Sequence, residues 1–365
     1  MKKIYVIAIL LYANFIIAQA GTPATPYYDG SNWTLTGTAL KSALATKITT
    51  THTNYLSYTP GVWEASRITD LDPNNSNNVL LIYGWENGTD GSITNDRSRG
   101  KFNNGGNSGN WNREHVFAKS LGTPVLLDGG SGTTSDAGED AHHLRPADVL
   151  WNSARGNLKF ATGSGNSGTV TGGWYPGDEW KGDVARMMMY MYLRYGTQCL
   201  PVNVGTGTSA PSDSNMVNLF LQWNAEDPVS AFEDARNTYH GNTVNTYAQG
   251  NRNPFIDNPY LATVIWGGTA AENRWPSIIL ATETFDKLTN ILIYPNPSNN
   301  HKLNIQTDII LDEINLININ GQLIQIIKKP SLQNQTYTLE NLPQGFYFLK
   351  MTSDNQSTTK SIIVN

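Results

Sequence analysis

Two stretches decide the fold of this chain: Trp111-Asn112-Arg113-Glu114-His115-Val116-Phe117 and Asp140-Ala141-His142-His143-Leu144-Arg145-Pro146-Ala147-Asp148-Val149-Leu150-Trp151-Asn152-Ser153-Ala154-Arg155-Gly156-Asn157. They hold three of the six histidines, with carboxylates, carboxamides and arginines placed among apolar residues. Each buried polar group costs free energy unless it is hydrogen-bonded, so an ordinary core segment would not carry so many. The pattern predicts a site for a divalent metal and a phosphodiester.

The two stretches predict a pair of strands joined by a long loop. Glu114 to Phe117 is typical of a short strand or strand end, and Ala141 to Leu144 of a returning strand. Residues 121–139 between them are rich in Gly, Ser, Thr and Asp, which is typical of a loop. Adjacent residues of a flat strand point to opposite faces. Glu114 and His115 can therefore reach one site only at a bulge or a strand end.

A helix is predicted directly after the second strand. Pro146 fits its first turn, where the missing N–H costs nothing. The helix then extends to about Arg155, and Gly156 ends it in a left-handed conformation. Asp148, Asn152 and Arg155 are spaced by four and three residues and share one helix face. Strand, loop, strand and helix together predict a compact metal finger.

These motifs closely resemble the bacterial endonuclease I family, which includes secreted and periplasmic nucleases of the His-Me finger (ββα-metal) class. The resemblance rests on Arg113-Glu114-His115, on His142 to Asp148 and on Asn152 to Asn157, and it covers roughly residues 35–270. A second family motif, Gln249 to Asp257, either shapes the site from the far side or forms a hydrogen-bonded turn that fixes the end of the domain, and the turn is the preferred interpretation.

The resemblance implies that His115 is the general base and that Glu114 and Asn152 bind the metal. A metal held by hard oxygen ligands neutralises developing charge and stabilises the leaving oxygen. Mg²⁺ keeps several waters, so one carboxylate and one carboxamide suffice, and Ca²⁺ or Mn²⁺ are the other cations expected. Histidine titrates near neutral pH and can take a proton from the attacking water.

The arginines of the motifs are expected to serve the substrate or the fold. Arg113 and Arg186 are predicted to bind substrate. Arg145 and Arg155 are candidate catalytic groups that either contact phosphate or pair with nearby carboxylates. Four further residues are expected to have structural roles near the site: His142, His143, Asp148 and Asn157.

Composition and chain ends predict an exported protein. The chain has 365 residues and a formal charge of −5, which argues against a broadly basic protein that coats nucleic acid. Residues 1–20 have the basic start, short apolar run and small-residue end of a secretory signal peptide. No other stretch is long enough for a membrane span. Cys199 is the only cysteine, so no intramolecular disulfide forms.

The predicted fold class is α+β, with a mainly helical catalytic domain at 21–270, a linker at 271–288 and a small all-β sandwich at 289–365. In the first domain, the apolar run Val79–Tyr83 predicts a strand. Apolar periodicity predicts four helices: Leu40–Leu56, Lys181–Tyr195, Asn215–Asn224 and Val229–Tyr239. Lys181–Tyr195 is apolar nearly all round and is expected to be central. Residues 90–110 predict a loop whose basic residues, Arg97, Arg99 and Lys101, are either solvated or form a substrate lip.

The last 75 or so residues resemble the C-terminal sorting domain of type IX secretion. The resemblance rests on Tyr294-Pro295-Asn296-Pro297, the Asn320-Gly321-Gln322 turn, Leu342-Pro343-Gln344-Gly345 and a last strand containing Lys360. It implies transit through the periplasm by the type IX machinery and release or attachment outside the cell.

The sequence thus predicts a secreted, monomeric, metal-dependent endonuclease without sequence specificity, and leaves the choice between DNA and RNA open. One alternative is a zinc hydrolase built from His115, His142 and His143, although no His-Glu-x-x-His helix or cysteine ligand set accompanies them. Another is a non-catalytic secreted matrix or adhesion protein on the same scaffold.

Overall fold

The computed structural model describes residues 21–129, 136–279, 291–307, 309–331, 335–353 and 356–365. The chain divides into two compact units, Met1–Ile279 and Leu280–Asn365. The predicted signal peptide lies outside the described residues. Across the described ranges, no helix combines the length and the apolar character that crossing a bilayer requires.

The described part of the first unit is mainly helical, with small antiparallel sheets. Its helices are α1 (Gly37–Thr50), α2 (Trp63–Thr69), α3 (Val149–Arg155), α4 (Lys181–Tyr195), α5 (Pro201–Val204), α6 (Asn218–Glu226), α7 (Ala231–His240), α8 (Pro254–Asp257) and α9 (Tyr260–Trp266). Its strands are β1 (Leu71–Asp72), β2 (Asn75–Leu80), β3 (Ser98–Gly100), β4 (Trp111–His115), β5 (Leu144–Asp148), β6 (Gly168–Val170), β7 (Gly173–Tyr175), β8 (Ser209–Ala210) and β9 (Asp213–Val217). The predicted α+β class is confirmed.

Helix α4 is the centre of the first unit, as its sequence predicts. Its bounds are those predicted, and every residue from Gly182 to Leu193 is buried. Helix α1 presents Leu40, Leu44 and Ile48 to the same core, but it ends at Thr50 rather than Leu56.

Three other predicted elements have different bounds. Strand β2 ends at Leu80, because Tyr83 has a φ of +74° and turns the chain. Helix α6 begins at Asn218, because the preceding five residues pair with β8 as strand β9. Helix α7 begins after Ser230, whose side chain accepts from the N–H of Glu233 while the Glu233 carboxylate accepts from the N–H of Ser230.

The predicted strand–loop–strand–helix unit forms, but its second strand lies later than expected. Strands β4 and β5 pair antiparallel, with His115 opposite Leu144 and Pro146 opposite Arg113. The prediction that Pro146 opens the helix is wrong, because Pro146 lies in β5 and its carbonyl accepts from the N–H of Ile82. In the described residues this sheet has only two strands, so a proline without an N–H fits there.

Helix α3 begins at Val149 because Asp148 caps it. One carboxylate oxygen, Oδ1, accepts from the N–H groups of Leu150 (2.8 Å) and Trp151 (3.0 Å). Asp148 is therefore the residue before the helix and not a member of its face. Gly156 ends the helix with a φ of +54°, as predicted.

The second unit is the predicted β-sandwich. Its strands are β10 (Leu292–Tyr294), β11 (Leu303–Gln306), β12 (Glu313–Asn318), β13 (Leu323–Lys328), β14 (Thr336–Leu339), β15 (Gly345–Ser353) and β16 (Gln356–Val364). They form a three-stranded sheet in the order β10-β11-β14 and a four-stranded sheet in the order β13-β12-β15-β16. Leu303 and Ile305 of the first sheet share one buried cluster with Ile314 and Leu349 of the second.

The first half of the predicted linker belongs to the first unit. Trp275 is 2% exposed and Ile279 is 5% exposed, and both pack in the main core. The Arg274 guanidinium also pairs with the Asp234 carboxylate at 2.8 Å. Residues 271–279 are therefore part of the first unit, and residues 280–290 lie outside the described residues.

Candidate active site

Helix α3 packs against one face of strand β4 and aligns two pairs of polar side chains. Asn112 and Glu114 are two residues apart on the strand and share a face. Asn152 and Arg155 are three residues apart on the helix and share a face. The Asn152 amide Nδ2 donates to Asn112 Oδ1 at 2.7 Å, and Arg155 Nη1 lies 3.1 Å from Glu114 Oε1. The two contacts form a ladder between β4 and α3, and Glu114 and Asn152 are members of its two neighbouring rungs.

Glu114 is a buried carboxylate with one oxygen held in place. Its side chain is almost fully enclosed, and Oε1 accepts from the Tyr83 hydroxyl at 2.9 Å and faces Arg155. Burial raises the Glu114 pKa to about 7, against the opposing effects of Arg155 and the Tyr83 hydrogen bond. No hydrogen bond from the described residues engages Oε2. A cation at Oε2 would offset the cost of burying this charge.

Asn152 offers a second hard oxygen. Because its Nδ2 donates to Asn112, its Oδ1 points the other way and has no partner among the described residues. One carboxylate oxygen and one carboxamide oxygen are the kind of donor set that Mg²⁺ takes when it keeps several waters. The residues therefore fit a hard divalent cation.

His115 lies at the end of strand β4, which meets the condition for bringing it near Glu114. Its Nε2 is 2.8 Å from the carbonyl oxygen of Gly138, and a carbonyl only accepts, so Nε2 carries the proton. The other nitrogen, Nδ1, therefore has a free lone pair. Burial, with a smaller effect from His143, lowers the His115 pKa well below its usual range. The neutral imidazole is a proton acceptor at neutral pH.

Arg113 lies on the same face of β4 as His115, above two aromatic rings. Its guanidinium carbon is 3.4 Å from the ring centre of Tyr58 and 4.1 Å from that of Trp63. The Tyr58 ring also stacks on His115, with ring centres 5.5 Å apart. No carboxylate of the described residues lies within salt-bridge distance of Arg113. Its positive charge is available beside the histidine.

Comparisons with family models and with known proteins show what the chain is similar to. A family model described as Endonuclease I matches residues 36–260. The extracellular ribonuclease of Bacillus amyloliquefaciens is 42% identical over 264 residues, covering 70% of this chain and 82% of the relative. The extracellular ribonuclease of Bacillus subtilis (strain 168) is 44% identical over 266 residues, covering 68% of this chain and 83% of the relative.

The chain belongs to the Endonuclease I family. It is therefore a nuclease, and the predicted hydrolase class is confirmed. A second family model, described as a secretion system C-terminal sorting domain, matches residues 292–365 and confirms the predicted secreted or cell-surface location. A solved structure of PorZ, a surface component of the type IX secretion system of Porphyromonas gingivalis, aligns with 23% of this chain. The alignment covers 12% of the PorZ chain, and the sequence identity is 12%. Its TM-score of 0.20 is too low to support an argument.

Two arginines predicted to serve the reaction are enclosed in ion pairs of this Endonuclease I fold. Arg145 is 0% exposed and donates to Asp70 (2.6 Å) and Asp183 (3.0 Å). Arg186 is 0% exposed and makes a two-pronged contact with Glu233 (2.6 and 2.8 Å). These guanidinium groups neutralise buried carboxylates, so the structure assigns them to the fold rather than to a phosphate.

Arg155 has a positioning role. It is buried, it faces Glu114, and its Nη1 and Nη2 donate to the carbonyl oxygens of His115 (3.1 Å) and Val116 (2.8 Å). The same side chain therefore holds the carboxylate and the strand end that carries the histidine. Of the two roles that the sequence leaves open for Arg155, pairing with a nearby carboxylate is the one observed.

His142 and His143 are buried behind the site, each tied to a different carbonyl. His142 Nε2 donates to Asn251 (3.1 Å) and His143 Nε2 to Ala137 (2.8 Å). The His142 ring lies against Tyr190, whereas His143 lies 5.6 Å from His115 between ring centres. No group of three metal-ligating side chains occurs in the described ranges. The zinc-hydrolase hypothesis therefore has no supporting arrangement.

The remaining predicted residues have structural contacts. Asp148 caps α3 and also pairs with Arg99 at 2.5 Å. Arg99 is 7% exposed, so it is neither solvated nor a substrate lip. Asn157 donates to Ser120 Oγ at 3.3 Å near the surface. The Gln249 side chain accepts from the N–H of Ala141 and donates to Asp140 at 3.0 Å, so the second family motif contacts the segment that carries His142 and His143.

Three residues that contact the site are missing from the sequence prediction: Tyr83, Asn112 and Tyr58. Asn112 lies within the quoted motif, two residues before Glu114, and the strand period alone would place it on the metal face. Tyr83 and Tyr58 come from other parts of the chain. Nothing in their neighbouring residues points to this site.

Proposed function

We propose that this protein is a secreted, divalent-metal-dependent endonuclease in which Glu114 and Asn152 hold the metal and His115 is the general base. The observation that carries the proposal is the ladder between β4 and α3. It leaves one oxygen of Glu114 and one of Asn152 without a protein partner on the same side of the strand. Both oxygens are therefore open to a cation that keeps several of its waters.

His115 accepts a proton from the attacking water at Nδ1. The Gly138 carbonyl fixes the tautomer and the ring orientation, and the low pKa keeps the imidazole unprotonated before the reaction. Arg113, next to His115 on the strand face, contacts a phosphate oxygen of the substrate. Mg²⁺, when bound, neutralises charge that develops on the phosphate and on the leaving oxygen.

The proposed substrates are both DNA and RNA. A site that contacts phosphate and metal reads little base sequence, and the two Bacillus relatives are named as ribonucleases. The sorting domain would take the nuclease out of the cell through the type IX machinery. We further propose that the enzyme acts as a monomer with a catalytic unit up to Ile279.

The test is cleavage of plasmid DNA and of a structured RNA by the purified chain without its signal peptide. Activity in Mg²⁺ and its loss in EDTA are expected, and Ca²⁺ and Mn²⁺ identify the preferred cation. His115→Ala should lower the rate by about 10²- to 10⁴-fold with an unchanged melting temperature. Undiminished cleavage in EDTA would overturn the metal proposal, and a loss below about tenfold would overturn the base assignment. A folded chain that cleaves neither substrate would support the non-catalytic alternative.

A further inference from the structure

A row of alternating aromatic and cationic side chains extends away from His115 along the surface. Tyr58 stacks on His115, and Arg113 lies between Tyr58 and Trp63. Trp63 begins helix α2, and Arg67 lies one helical turn later on the same face. We call this row the aromatic track; its members, from the inner to the outer end, are Tyr58, Arg113, Trp63, Arg67, Phe102 and Lys101.

Phe102 is the outer end of the aromatic track. Phe102 is 70% exposed, so its side chain is accessible to a ligand. The Arg67 guanidinium carbon is 5.2 Å from its ring centre and the Lys101 ammonium is 5.7 Å away. Glu64 neutralises Arg67 at 2.5 Å. Lys101 has no carboxylate partner among the described residues, and its ammonium donates to a backbone carbonyl.

We infer that the aromatic track binds an unpaired stretch of nucleic acid, with a base stacked on Phe102 and the backbone following Lys101 and Arg113 towards His115. This inference rests on the proposed nuclease function and adds a substrate class to it. Exposed aromatic rings alternating with cations are how proteins hold single strands without reading sequence. In a duplex the faces of the bases are covered by their neighbours, so the ring would have nothing to stack on.

The placement of the charges supports a nucleic-acid ligand over a protein one. Arg113 and Lys101 are the cations of the track without a carboxylate partner, and they flank its inner and outer ends. The rings of Tyr58 and Trp63 are partly buried and hold Arg113 in place. Only Phe102 presents most of its ring. The geometry offers one stacking position between two phosphate contacts.

The experiment compares three fluorescent ligands of about 15 nucleotides: a single strand, the same strand with abasic sites, and the matched duplex. Binding to the full mature chain is measured by anisotropy in EDTA, so that no ligand is cleaved. Phe102→Ala should weaken binding of the single strand by about fivefold or more, because stacking one base is worth about 1–3 kcal/mol. Binding of the abasic strand and of the duplex should change by less than about twofold on the same reasoning.

Two further variants separate stacking from a change in the fold. Phe102→Trp keeps a ring and should retain the affinity for the single strand. Phe346→Ala removes another exposed phenylalanine, 40% exposed in the second unit, and should change nothing. Equal losses of affinity for all three ligands, or no loss of affinity for the single strand, would overturn the inference. Neither result would contradict the proposed nuclease function, which plasmid cleavage by the unaltered enzyme tests separately. Absence of cleavage by the unaltered enzyme would instead overturn the proposed function.

Discussion

Removing the Tyr83 hydroxyl is the sharpest test of how Glu114 is held. Tyr83 donates to Glu114 Oε1 at 2.9 Å from a fully buried position. Tyr83→Phe deletes the oxygen and keeps the ring, so the packing against Trp174 is preserved. Arg155 then remains as the contact on Oε1 from the described residues. The carboxylate is freer to turn away from the cation.

The size of the effect follows from the bond that is lost. A hydrogen bond to a charged group contributes about 1.5–3 kcal/mol. Each 1.4 kcal/mol is about tenfold in a binding constant. If this hydrogen bond serves mainly to orient Glu114, Tyr83→Phe should raise the Mg²⁺ concentration for half-maximal activity by about 10- to 100-fold. At saturating Mg²⁺ the rate should return close to that of the unaltered enzyme.

A matched control exists in the same unit. Tyr28 donates to the buried carboxylate of Asp257 at 2.7 Å, and that carboxylate also pairs with Arg252 at 2.6 Å. Tyr28→Phe therefore deletes the same group from the same kind of tyrosine–carboxylate–arginine cluster outside the proposed site. It should cost comparable stability and leave the metal dependence unchanged.

The assay is plasmid cleavage over a Mg²⁺ titration, with direct Mn²⁺ binding measured by calorimetry and stability by thermal melting. The positioning role predicts that only Tyr83→Phe shifts the titration, although both variants melt lower. A half-saturating Mg²⁺ concentration within about twofold of the unaltered value would refute the reasoning, because a bond to a charged group is worth more than that. A shift of the same size in Tyr28→Phe would show that lost stability, and not positioning, is the cause.

Three more predictions concern the Asn112–Asn152 contact, the buried His142 and the boundary of the first unit. Asn112→Ala should raise the Mg²⁺ concentration for half-maximal activity, because it removes the acceptor that holds the Asn152 amide. Asn112→Asp keeps an acceptor oxygen and should show a Mg²⁺ requirement close to that of the unaltered enzyme. Equal Mg²⁺ titrations for the two variants would contradict this role of Asn112. Burial lowers the His142 pKa from 6.5 to about 4, so the unfolded chain binds more protons than the folded chain between these values. His142 should therefore contribute about 3 kcal/mol to the stability that is lost as pH drops from about 6.5 to 4, and the buried His143, whose pKa is also lowered to about 4, should add a similar loss. Urea unfolding across this range checks the slope, which His142→Gln should flatten; an unchanged slope would assign it to other groups. A chain cut after Ile279 should keep its activity and melting temperature, whereas a cut after residue 270 removes Trp275 and should cost about 3 kcal/mol or more; identical melting of the two chains would contradict the revised boundary.

The elements that the sequence predicts well are those decided by local pattern. Helix α4 has an unbroken run of apolar and aromatic residues from Met187 to Leu193, all of them buried, so no placement other than the core suits it. The end of α3 at Gly156 follows from short-range rules for helix ends, whereas strand β4 spans Trp111–His115 and only overlaps the predicted Glu114–Phe117. The sandwich strands of the second unit follow from alternation between turns. In each case the deciding interactions lie within a few residues of one another.

Strand β5 shows where local pattern is insufficient. Arg145-Pro146-Ala147-Asp148 has no β-branched residue and contains a proline, so its propensity argues against a strand. It is extended because Arg145 must reach Asp70, 75 residues earlier, and Asp183, 38 residues later. A buried arginine without those partners would be strongly destabilising. The tertiary ion pairs therefore outweigh the local preference.

The same consideration explains why the roles of the arginines could not be read from their motif. An arginine beside catalytic residues has the same local sequence whether its charge is neutralised or available, because its carboxylate partners come from distant segments. Arg186 meets Glu233 from 47 residues away, and removing either partner of a buried pair costs about 3–5 kcal/mol, a penalty to the fold. Arg113 meets two aromatic rings and no carboxylate among the described residues. A phosphate gains most from a cation that no carboxylate has already neutralised, so Arg113 is the arginine of the motif that suits the substrate.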